Sequence, residues 1–584
     1  MQTRHAAGLS VIAILLSSCV GASAPGRTEV ANAGSPQRCE ALGKSLAVKW
    51  PLSDTRVATA VYHEAGVAPS PPGPPGMAFP PVQLPAHCEL TGVMQERKGV
   101  DGQDYAIRFH LRLPDQWNGR FFMQGGGGTN GELGDAVGRL QGGADPALAQ
   151  GYAVLSQDSG HDNARNSVAE RNGASAFGFD PQARADYGGD SLEKTASAAK
   201  AAIGSYYGAK PRYSYFVGCS KGGQEGMALA QQYPDLFDGI VAGAPGFSLP
   251  RAAIAEAWNT QAFASVAKER GEPVTIVSIA RSFSMADLQL VSQTVAGVCD
   301  ANDGMADGIV GDFRKCTSAR VVPALKARQC KAGKQDGCLS AGQIAALEQV
   351  HGGARSSDGK QIYPGFPWDA GWGDMGWRIW MAGMPDGSSP AINIAMGMPS
   401  LASVFSTPPR ALGASPEAYL AYALNYDFDR DPAGIDLVQS PFARSAWQDI
   451  SARSSNLDGF RARGGKLIVP HGVSDPVFSV NDTLAWWEEA NARYSGSAAS
   501  FARVFPVPGM GHCQGGPATD QFDAFGAVVR WVEQGEAPDR IEARAGPMSP
   551  WPGKQGVLCP YPMVARPVGD RGKDGGAAAM ECRL

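Results

Sequence analysis

Three features that this sequence lacks narrow the range of proteins it can encode. No apolar run reaches the roughly 20 residues that a membrane-spanning helix needs. There is no excess of basic residues, since 51 Lys and Arg stand against 56 Asp and Glu, and this argues against a nucleic-acid partner. No internal repeat or long low-complexity tract occurs. What remains is a globular chain of 584 residues, long enough to bury a large core and to hold more than one domain.

The N-terminal segment predicts export. A basic start is followed by the apolar stretch Leu9 to Leu16 and then by small residues, which is the order of a secretory signal. Leu16-Ser17-Ser18-Cys19 also fits a bacterial lipoprotein cleavage box; the alternative is a plain secretory signal with a chance cysteine. We assign residues 1–18 to a signal peptide of the lipoprotein type and residues 19–38 to a tether. The mature protein is then periplasmic, secreted, or tethered to the outer membrane through a lipidated Cys19.

The cysteine count agrees with export. There are eleven cysteines, and setting Cys19 aside leaves ten, enough for five bridges in an oxidising compartment. The sequence alone does not fix their pairing. Local spacing favours four pairs and leaves the last two cysteines for each other: Cys39–Cys88, Cys299–Cys316, Cys330–Cys338, Cys559–Cys582, and Cys219 with Cys513.

Alternating strand and helix patterns predict an α/β fold with a mostly parallel sheet and helices on both faces. The predicted strands are Tyr105–Leu113, Arg120–Met123, Tyr152–Ser156, Tyr213–Val217, Gly239–Ala242, Lys466–Val469 and Ala502–Val507. Helical patterns cover Ser191–Tyr207 and Gln224–Tyr233. The segment Val67 to Pro85 is dense in Pro and Gly and is predicted to be an irregular loop.

The amino-acid composition of the sequence changes between about residues 250 and 450. Cysteines cluster there, acidic and Gly residues alternate near 300–312, and tryptophan is dense. We interpret residues 250–452 as a large insertion, called the lid segment below. Residues 39–249 and 453–584 then form the domain that carries the predicted sheet.

One five-residue pattern indicates a nucleophile. Gly218-Cys219-Ser220-Lys221-Gly222 is the only Gly-x-Ser-x-Gly in the sequence, and it lies between a predicted strand and a predicted helix. A sharp strand-to-helix turn exposes the serine, and glycines on either side remove side chains that would clash. The amide of Lys221 can then donate to a developing oxyanion. The alternative is a plain Gly-rich turn.

The serine hydroxyl needs a base, and the base needs an orienting carboxylate. In this fold the chain order is Ser, then Asp or Glu, then His, and only His351, His471 and His512 follow Ser220. His351 lies in the lid segment, away from any strand pattern. Asp475 and His512 each follow a predicted strand, so we assign Asp475 as the acid and His512 as the base. The alternative takes His471 as the base with an acid upstream.

The neighbours of these residues support the assignment. Cys219 precedes Ser220 and Cys513 follows His512, so a bridge between them would hold nucleophile and base together. Alternatively, Cys219 is a small buried hydrophobe.

The Gly-rich stretch Gln124 to Gly131 follows a predicted strand, where hydrolases carry a second oxyanion donor. Gly127 is our choice for that donor, and a flexible loop is the alternative.

Four longer strings resemble the tannase and feruloyl esterase family. They are Gly218-Cys219-Ser220-Lys221-Gly222-Gly223-Gln224-Glu225-Gly226, Asp238-Gly239-Ile240-Val241-Ala242-Gly243-Ala244-Pro245, Ser474-Asp475-Pro476-Val477-Phe478 and Gly511-His512-Cys513. The resemblance runs from about residue 39 to the C-terminus. It implies an α/β-hydrolase core, a lid inserted after the nucleophile, the Cys219–Cys513 bridge, and small substrates that are esters of aromatic acids. It also implies that Trp380 and Phe478 are the aromatic walls of the acyl pocket.

The same resemblance implies a structural Ca²⁺ site in the lid segment and no organic cofactor. The stretch Asp300-Ala301-Asn302-Asp303-Gly304-Met305-Ala306-Asp307-Gly308-Ile309 is similar to the family's calcium loop. Carboxylates of Asp300, Asp303 and Asp307 with carbonyls of Met305 and Ile309 would give a hard-oxygen cage. The distal Glu of an EF-hand is missing, and the alternative is a solvated acidic turn.

The lid segment departs from the family members that hydrolyse terephthalate monoesters, which use a lid arginine to hold the free carboxylate. Residues 379–409 contain no Arg or Lys, and only Arg378 and Arg410 flank them. Because a buried carboxylate without a cation is costly, neutral phenolic acyl groups such as feruloyl, galloyl or chlorogenate-type are expected. The alternatives are a terephthalate-monoester hydrolase and a non-catalytic binding lipoprotein with a hydrolase fold.

Overall fold

A computed structural model describes residues 34–44, 48–68, 81–569 and 579–584. The predicted signal peptide and Cys19 lie outside these residues. The first helix, α1 (Pro36–Gly43), begins inside the predicted tether, where Pro36 is its first residue and the Ser35 side chain accepts from the Arg38 amide. None of the helices in the described part of the chain is long and apolar enough to cross a membrane.

Nine of the strands in the described residues form one central sheet. The strands are β1 (Arg56–His63), β2 (Gly66–Ala68), β3 (Val82–Leu84), β4 (His87–Lys98), β5 (Asp104–Pro114), β6 (Arg120–Gln124), β7 (Ala153–Gln157), β8 (Tyr213–Cys219), β9 (Gly239–Gly243), β10 (Lys466–Gly472), β11 (Ala502–Val507), β12 (Gln521–Phe522), β13 (Ile541–Arg544), β14 (Gln555–Leu558), β15 (Val564–Pro567) and β16 (Met580–Arg583). The order in the central sheet is β1-β4-β5-β7-β6-β8-β9-β10-β11. From β7 to β11 neighbours pair in parallel, whereas β1, β4 and β5 form an antiparallel edge that ends on β7.

The remaining helices fall into the core and the lid segment. They are α2 (Asn163–Asn166), α3 (Pro181–Ala185), α4 (Ser191–Tyr207), α5 (Lys221–Gln232), α6 (Leu249–Glu269), α7 (Ile276–Ala280), α8 (Met285–Cys299), α9 (Ser318–Lys326), α10 (Ala341–Gly352), α11 (Met375–Met381), α12 (Met398–Ser403), α13 (Pro416–Leu424), α14 (Ala446–Ile450), α15 (Asp458–Ala462), α16 (Val480–Arg493) and α17 (Ala524–Gln534). No strand of the described chain lies between Gly243 and Lys466, so the lid segment is helical and irregular. Its predicted limits fall in the first turn of α6 and just after α14.

The parallel strands are buried on both faces, as parallel sheets generally are. Successive residues of β6 show this, because Phe121 packs with Phe216 and the helices α4 and α5, while Phe122 packs with Tyr215 and α17. Because the strands from β7 to β11 are parallel, the loops that follow them lie at one edge of the sheet. The carboxyl ends of β8, β10 and β11 lie side by side there.

One predicted loop is partly regular. Gly66–Ala68 and Val82–Leu84, at the ends of the segment predicted to be irregular, pair antiparallel as β2 and β3. The prediction was therefore wrong at these ends, because backbone pairing of a short hairpin tolerates the Pro- and Gly-rich sequence between its strands. Residues 69–80 lie outside the described residues.

All five cysteine pairs favoured by the sequence are disulfide bonds in the structure. They are Cys39–Cys88, Cys219–Cys513, Cys299–Cys316, Cys330–Cys338 and Cys559–Cys582. Four of them close short or moderate loops. Cys219–Cys513 instead spans 294 residues, from the end of β8 to the loop after β11.

Candidate active site

Ser220 lies in the turn between β8 and α5, in a backbone conformation that non-glycine residues rarely adopt. Its φ is 65° and its ψ is −121°. The glycines on either side are required by close backbone contacts: a Cβ on Gly218 would lie 2.5 Å from the Gly222 carbonyl oxygen, and one on Gly222 would lie 2.7 Å from that of Gly126. The turn is held by the Ser220 amide, which donates to the Gly243 carbonyl at 3.0 Å. This strain holds the hydroxyl at the edge of the sheet.

The structure brings Ser220, His512 and Asp475 into one hydrogen-bonded chain. His512 Nε2 lies 2.8 Å from Ser220 Oγ, and His512 Nδ1 lies 2.8 Å from Asp475 Oδ2. Asp475 follows β10 and His512 follows β11, so adjacent parallel strands deliver the two side chains. With a proton on Nδ1 donated to the carboxylate, Nε2 is free to accept the serine proton.

Asp475 is fully buried yet held as a carboxylate. Its Oδ1 accepts hydrogen bonds from the amides of Val477 and Phe478 at 2.8 and 3.1 Å. Burial raises the pKa of Asp475, but His512 and His471 together outweigh burial and bring the pKa well below its usual range. The Asp475 side chain is therefore ionised at mildly acidic and neutral pH.

His471, the alternative candidate for the base, has other hydrogen-bond partners. Its Nδ1 lies 2.8 Å from the Thr483 hydroxyl, and its Nε2 lies 2.9 Å from the Phe478 carbonyl and 3.5 Å from Asp475 Oδ2. The ring is completely buried behind the carboxylate. His471 therefore supports the loop that carries Asp475, and no contact joins it to Ser220.

The Cys219–Cys513 disulfide links the residue before the serine to the residue after the histidine. The two Cα atoms are 6.1 Å apart. Cys513 has a φ of 66°, so the chain turns sharply directly after His512. The bond restricts the separation of β8 and the loop after β11, which is the separation that sets the distance from His512 to Ser220.

The two backbone amides that were predicted to hold an oxyanion belong to Lys221 and Gly127. Lys221 is the first residue of α5, and its amide points out of the helix N-terminus. Gly127 follows β6, and a Cβ there would meet no atom within 4 Å. Among the described residues neither amide donates to a protein acceptor. Lys221 lines the cavity beside Ser220, and so does Gly128, the residue after Gly127.

A buried glutamate that sequence reasoning missed joins these two segments. Glu225 accepts from the Gly126 amide at 2.9 Å, from Asn130 Nδ2 at 2.8 Å and from the Lys221 ammonium at 3.1 Å. The Lys221 ammonium also lies 4.6 Å from the centre of the Tyr187 ring. Glu225 thus fixes the loop after β6 against the first turn of α5. Its position four residues after Lys221 is the sequence signal that could have revealed the ion pair.

The predicted aromatic walls are close to the triad. Trp380 and Phe478 each meet the His512 ring edge to face, with centroids 5.3 and 5.4 Å away. Both line a cavity that also contains Ser220. The other residues around this cavity are Gly128, Thr129, Tyr187, Lys221, Leu249, Ala253, Glu256, Met396, Gly397, Ser400, Phe405 and Val477. Lys221 is its only basic lining residue in the described chain, and Glu225 already neutralises that charge.

The two arginines that flank residues 379–409 are occupied elsewhere. Arg378 is buried and donates to the carbonyls of Phe283 and Ala280, both at 2.6 Å. Arg410 is largely exposed and lies 3.6 Å from Asp431. Neither lines the cavity beside Ser220.

Asp369 connects the lid segment to both loops that carry the acid and the base. Its Oδ2 accepts from the Ser474 hydroxyl at 2.7 Å and from the Gly509 amide at 2.8 Å. Burial raises the pKa of Asp369 to about 6, although these hydrogen bonds lower it. Sequence reasoning missed this residue because it belongs to no motif and its partners lie more than a hundred positions away.

The acidic loop of the lid segment offers hard oxygen donors but not a closed cage. Asp300 accepts from the amides of Asp307 and Gly308, and Asp307 is paired with the Lys554 ammonium at 2.8 Å. Burial and the other two carboxylates raise the pKa of Asp303 to about 7. In the described chain only His63, His87 and Glu89 bring three such ligand atoms within 4.8 Å of one another, so the loop carboxylates are more widely spaced. The donor chemistry fits Ca²⁺, and binding requires the loop to close around the ion and Lys554 to release Asp307.

A mostly parallel sheet, a strained serine between strand and helix, and an Asp and a His after two later strands define an α/β hydrolase. Comparison with known proteins identifies the family. The family model described as tannase and feruloyl esterase matches residues 88–575. The chain therefore belongs to the tannase and feruloyl esterase family, and it is an esterase.

Similar proteins come from bacteria and fungi. The chain is 42% identical over 555 residues to mono(2-hydroxyethyl) terephthalate hydrolase of Piscinibacter sakaiensis, covering 90% of this chain and 89% of the relative. It is 28% identical to a probable feruloyl esterase of Arthroderma benhamiae, covering 89% of each. Among solved structures, feruloyl esterase B from Aspergillus oryzae superposes with a TM-score of 0.71 at 22% identity, covering 94% of this chain and all of that one. Tannin acyl hydrolase from Aspergillus niger gives a TM-score of 0.64 at 19% identity, covering 94% and 95%. These two likenesses concern the fold alone.

Proposed function

We propose that the protein hydrolyses esters of aromatic acids through an acyl-enzyme on Ser220. The observation that carries this proposal is the aligned chain from Ser220 Oγ through His512 to Asp475, with 2.8 Å at each step. Ser220 Oγ attacks the ester carbonyl carbon while His512 Nε2 takes its proton. The amides of Lys221 and Gly127 donate to the oxyanion, and each such donor accounts for about 100- to 1,000-fold in rate.

Collapse of the tetrahedral intermediate breaks the ester C–O bond. His512 returns its proton to the leaving alkoxide, so the alcohol departs neutral and the acid stays on Ser220. Water then attacks the acyl-enzyme, again giving its proton to His512, and the acid is released. Asp475 remains ionised throughout, orients the imidazole, and stabilises the imidazolium that forms in each half of the cycle.

The test of this assignment is Ser220→Ala, with Ser214→Ala on β8, the strand that precedes Ser220, as a control. Turnover of p-nitrophenyl and feruloyl esters should fall by roughly a million-fold in the first variant, because the nucleophile is gone. It should be nearly unchanged in the second. Retained turnover in folded Ser220→Ala would contradict the proposal.

The acyl group that we propose is a neutral aromatic ring, such as a feruloyl, galloyl or chlorogenate-type group. Trp380 and Phe478 supply flat apolar walls beside His512, and the cavity offers no uncommitted cation. Proteins named feruloyl esterase are among the relatives.

The second candidate substrate is a terephthalate monoester, favoured by the 42% identity to mono(2-hydroxyethyl) terephthalate hydrolase. Such a substrate carries a free carboxylate into the acyl pocket, and burying that charge without a cation is costly. We therefore expect dimethyl terephthalate to be hydrolysed faster than monomethyl terephthalate. The reverse order would favour the second candidate.

A non-catalytic binding protein is the remaining alternative from the sequence. The linked Ser–His–Asp chain counts against it, because a binding site does not need a strained serine. Labelling by a fluorophosphonate probe, lost in Ser220→Ala, separates the two functions.

We further propose that the loop from Asp300 to Ile309 binds a structural Ca²⁺ in the lid segment. Three carboxylates, those of Asp300, Asp303 and Asp307, lie within eight residues, and Ca²⁺ favours such oxygen donors. The carbonyls of Met305 and Ile309 would complete the set. No catalytic step depends on this ion, because none of the five residues lines the cavity beside Ser220.

Export from the cytoplasm is also proposed. Five disulfides among the described residues support it, because such bonds persist in oxidising compartments. Lipidation of Cys19 would tether the mature protein to a membrane. Mass spectrometry of the protein from its native host, with and without Cys19→Ser, tests for the lipid.

A further inference from the structure

A buried carboxyl without a hydrogen bond lies in the cavity beside Ser220. Glu256, on α6, is 6% exposed and lines this cavity together with Trp380 and Phe478. Its Oε2 is fully buried and has no partner, and no hydrogen bond or ion pair of the described residues uses its side chain. Buried polar groups in folded proteins are nearly always hydrogen-bonded, so this carboxyl calls for a ligand.

The backbone of the lid segment packs directly against one of the two oxygens. A Cβ on Gly397 would lie 1.6 Å from Glu256 Oε2, so only glycine leaves room for the carboxyl there. Gly397 lines the same cavity. One oxygen of Glu256 is therefore enclosed by protein on the side of Gly397, while the residue as a whole lines the cavity beside Ser220.

Burial favours the protonated form of this carboxyl over the ionised form. Burial raises the pKa of Glu256 well above its ordinary value, and no charged neighbour opposes this shift. A protonated carboxyl has one O–H donor and one carbonyl acceptor. It can therefore pair with a group that both accepts and donates, and it cannot neutralise an anion.

We propose that Glu256 binds a phenolic hydroxyl on the ring of the acyl group and so determines which aromatic acids are accepted. This proposal rests on the proposed aromatic esterase function. A phenolic hydroxyl can form a hydrogen bond with the oxygen of Glu256 that is not packed against Gly397. An unsubstituted ring leaves Glu256 unpaired, and a carboxylate at the same place accepts one hydrogen bond while its charge stays uncompensated.

The experiment compares matched esters that differ only in the hydroxyl. Methyl ferulate is paired with methyl 3-methoxycinnamate, and methyl 4-hydroxybenzoate with methyl benzoate. The ratio of kcat/KM within each pair is measured for the unaltered protein, Glu256→Gln, Glu256→Leu and Glu256→Ala. Glu269→Gln, at the other end of α6, is the matched control, and circular dichroism with thermal unfolding checks the fold of each variant.

The unaltered protein should prefer the hydroxylated ester of at least one pair by about tenfold or more, because a site built to bind a hydroxyl rejects the analogue that lacks it. Glu256→Gln keeps a donor and an acceptor and should retain most of the preference. Glu256→Leu or Glu256→Ala should bring the ratio close to one, because the group that distinguishes the hydroxyl is gone. Glu269→Gln should leave the ratio unchanged.

Two results would overturn the assignment of Glu256: a ratio near one in the unaltered protein for both pairs, or an undiminished ratio in Glu256→Leu or Glu256→Ala. Should neither apolar variant fold, binding of each matched pair to Ser220→Ala by calorimetry decides, and equal affinities overturn the assignment. If the protein hydrolyses both esters of a pair rapidly and at equal rates, and this turnover depends on Ser220, the role of Glu256 is rejected and the proposed function stands. Failure to hydrolyse any aromatic ester rejects the proposed function, and the role of Glu256 with it.

Discussion

Asp475 shows how single residues establish the chemistry of this site. Two amides and two imidazoles surround its buried carboxylate. Because these partners lower the pKa of Asp475 below that of the unfolded chain, the stability they contribute is present above the unfolded pKa and lost only as pH falls through the folded one. The Asp475–His512 pair is thus intact at mildly acidic and neutral pH.

Replacing Asp475 by Asn should lower kcat by roughly 1,000- to 10,000-fold, with KM changing far less. The amide keeps the shape of the carboxyl but favours the wrong imidazole tautomer and no longer stabilises the imidazolium. Steady-state kinetics on a p-nitrophenyl ester measures the effect. Asp539→Asn, which alters an exposed ion pair with Arg503, is the control and should behave like the unaltered protein. A small effect of Asp475→Asn would mean that another carboxylate orients His512.

The sequence predicted the residues that belong to a motif and missed those that do not. Ser220 sits in a five-residue pattern, and the order of the triad along the chain limited the choices for Asp475 and His512. Glu256 and Asp369 gave no such pattern, and Glu225 offered only its spacing of four residues from Lys221. Their importance comes from burial beside partners that only the folded chain brings near, and a lone acidic residue in a sequence is more often exposed.

The parallel strands of the central sheet, whose loops carry the site, could be predicted from the sequence. The predicted strands Tyr213–Val217 and Ala502–Val507 begin at the residues where β8 and β11 begin, and helix Ser191–Tyr207 coincides with α4. These strands are short apolar runs between turn residues, which is the signature of strands buried on both faces. β1 and β4, in contrast, were missed. β1 is an edge strand whose residues are exposed or half-buried, so it lacks the apolar pattern on which strand prediction depends.

The Cys219–Cys513 disulfide links the end of β8 to the loop after β11, and its removal should change both stability and activity. The double variant Cys219→Ser and Cys513→Ser should lose about 2–5 kcal/mol of unfolding free energy, because a long loop is no longer closed in the unfolded chain. Its kcat should fall more than its KM rises, since the separation of Ser220 and His512 is less restricted. Thermal unfolding and ester kinetics measure the two effects.

The matched control is the double variant Cys330→Ser and Cys338→Ser, which removes a bridge across eight residues in the lid segment. It should cost less stability and leave kcat unchanged. Equal effects of both double variants on kcat would show that the Cys219–Cys513 bond does not position the site.

Across the whole molecule, the lid segment is fastened to the C-terminal part of the chain near the acidic loop. Lys554 pairs with Asp307, and Arg566 pairs with Asp312 at 3.0 Å. A Cβ on Gly308 would lie 2.4 Å from the Trp551 ring, so the loop packs tightly against residues that follow α17. An ion bound in this loop would therefore stabilise the contact between lid segment and core.

Removal of calcium should accordingly lower Tm by several degrees, because an ion that binds only the folded chain at a hundred times its Kd contributes about 2.7 kcal/mol. Thermal unfolding in EGTA, with and without excess Ca²⁺, measures this shift. Asp303→Asn should abolish the response to Ca²⁺, whereas the exposed control Asp358→Asn should keep it. A Tm indifferent to Ca²⁺ in the unaltered protein would reject the proposed ion.

The long disulfide also determines what a protease can do to this molecule. Of the five bridges, Cys219–Cys513 alone joins the parts of the chain on either side of any cut between Leu339 and His512. A nick in the second half of the lid segment therefore produces a covalently linked two-chain protein, with Ser220 on one polypeptide and Asp475 and His512 on the other. Only reduction would let the halves diffuse apart.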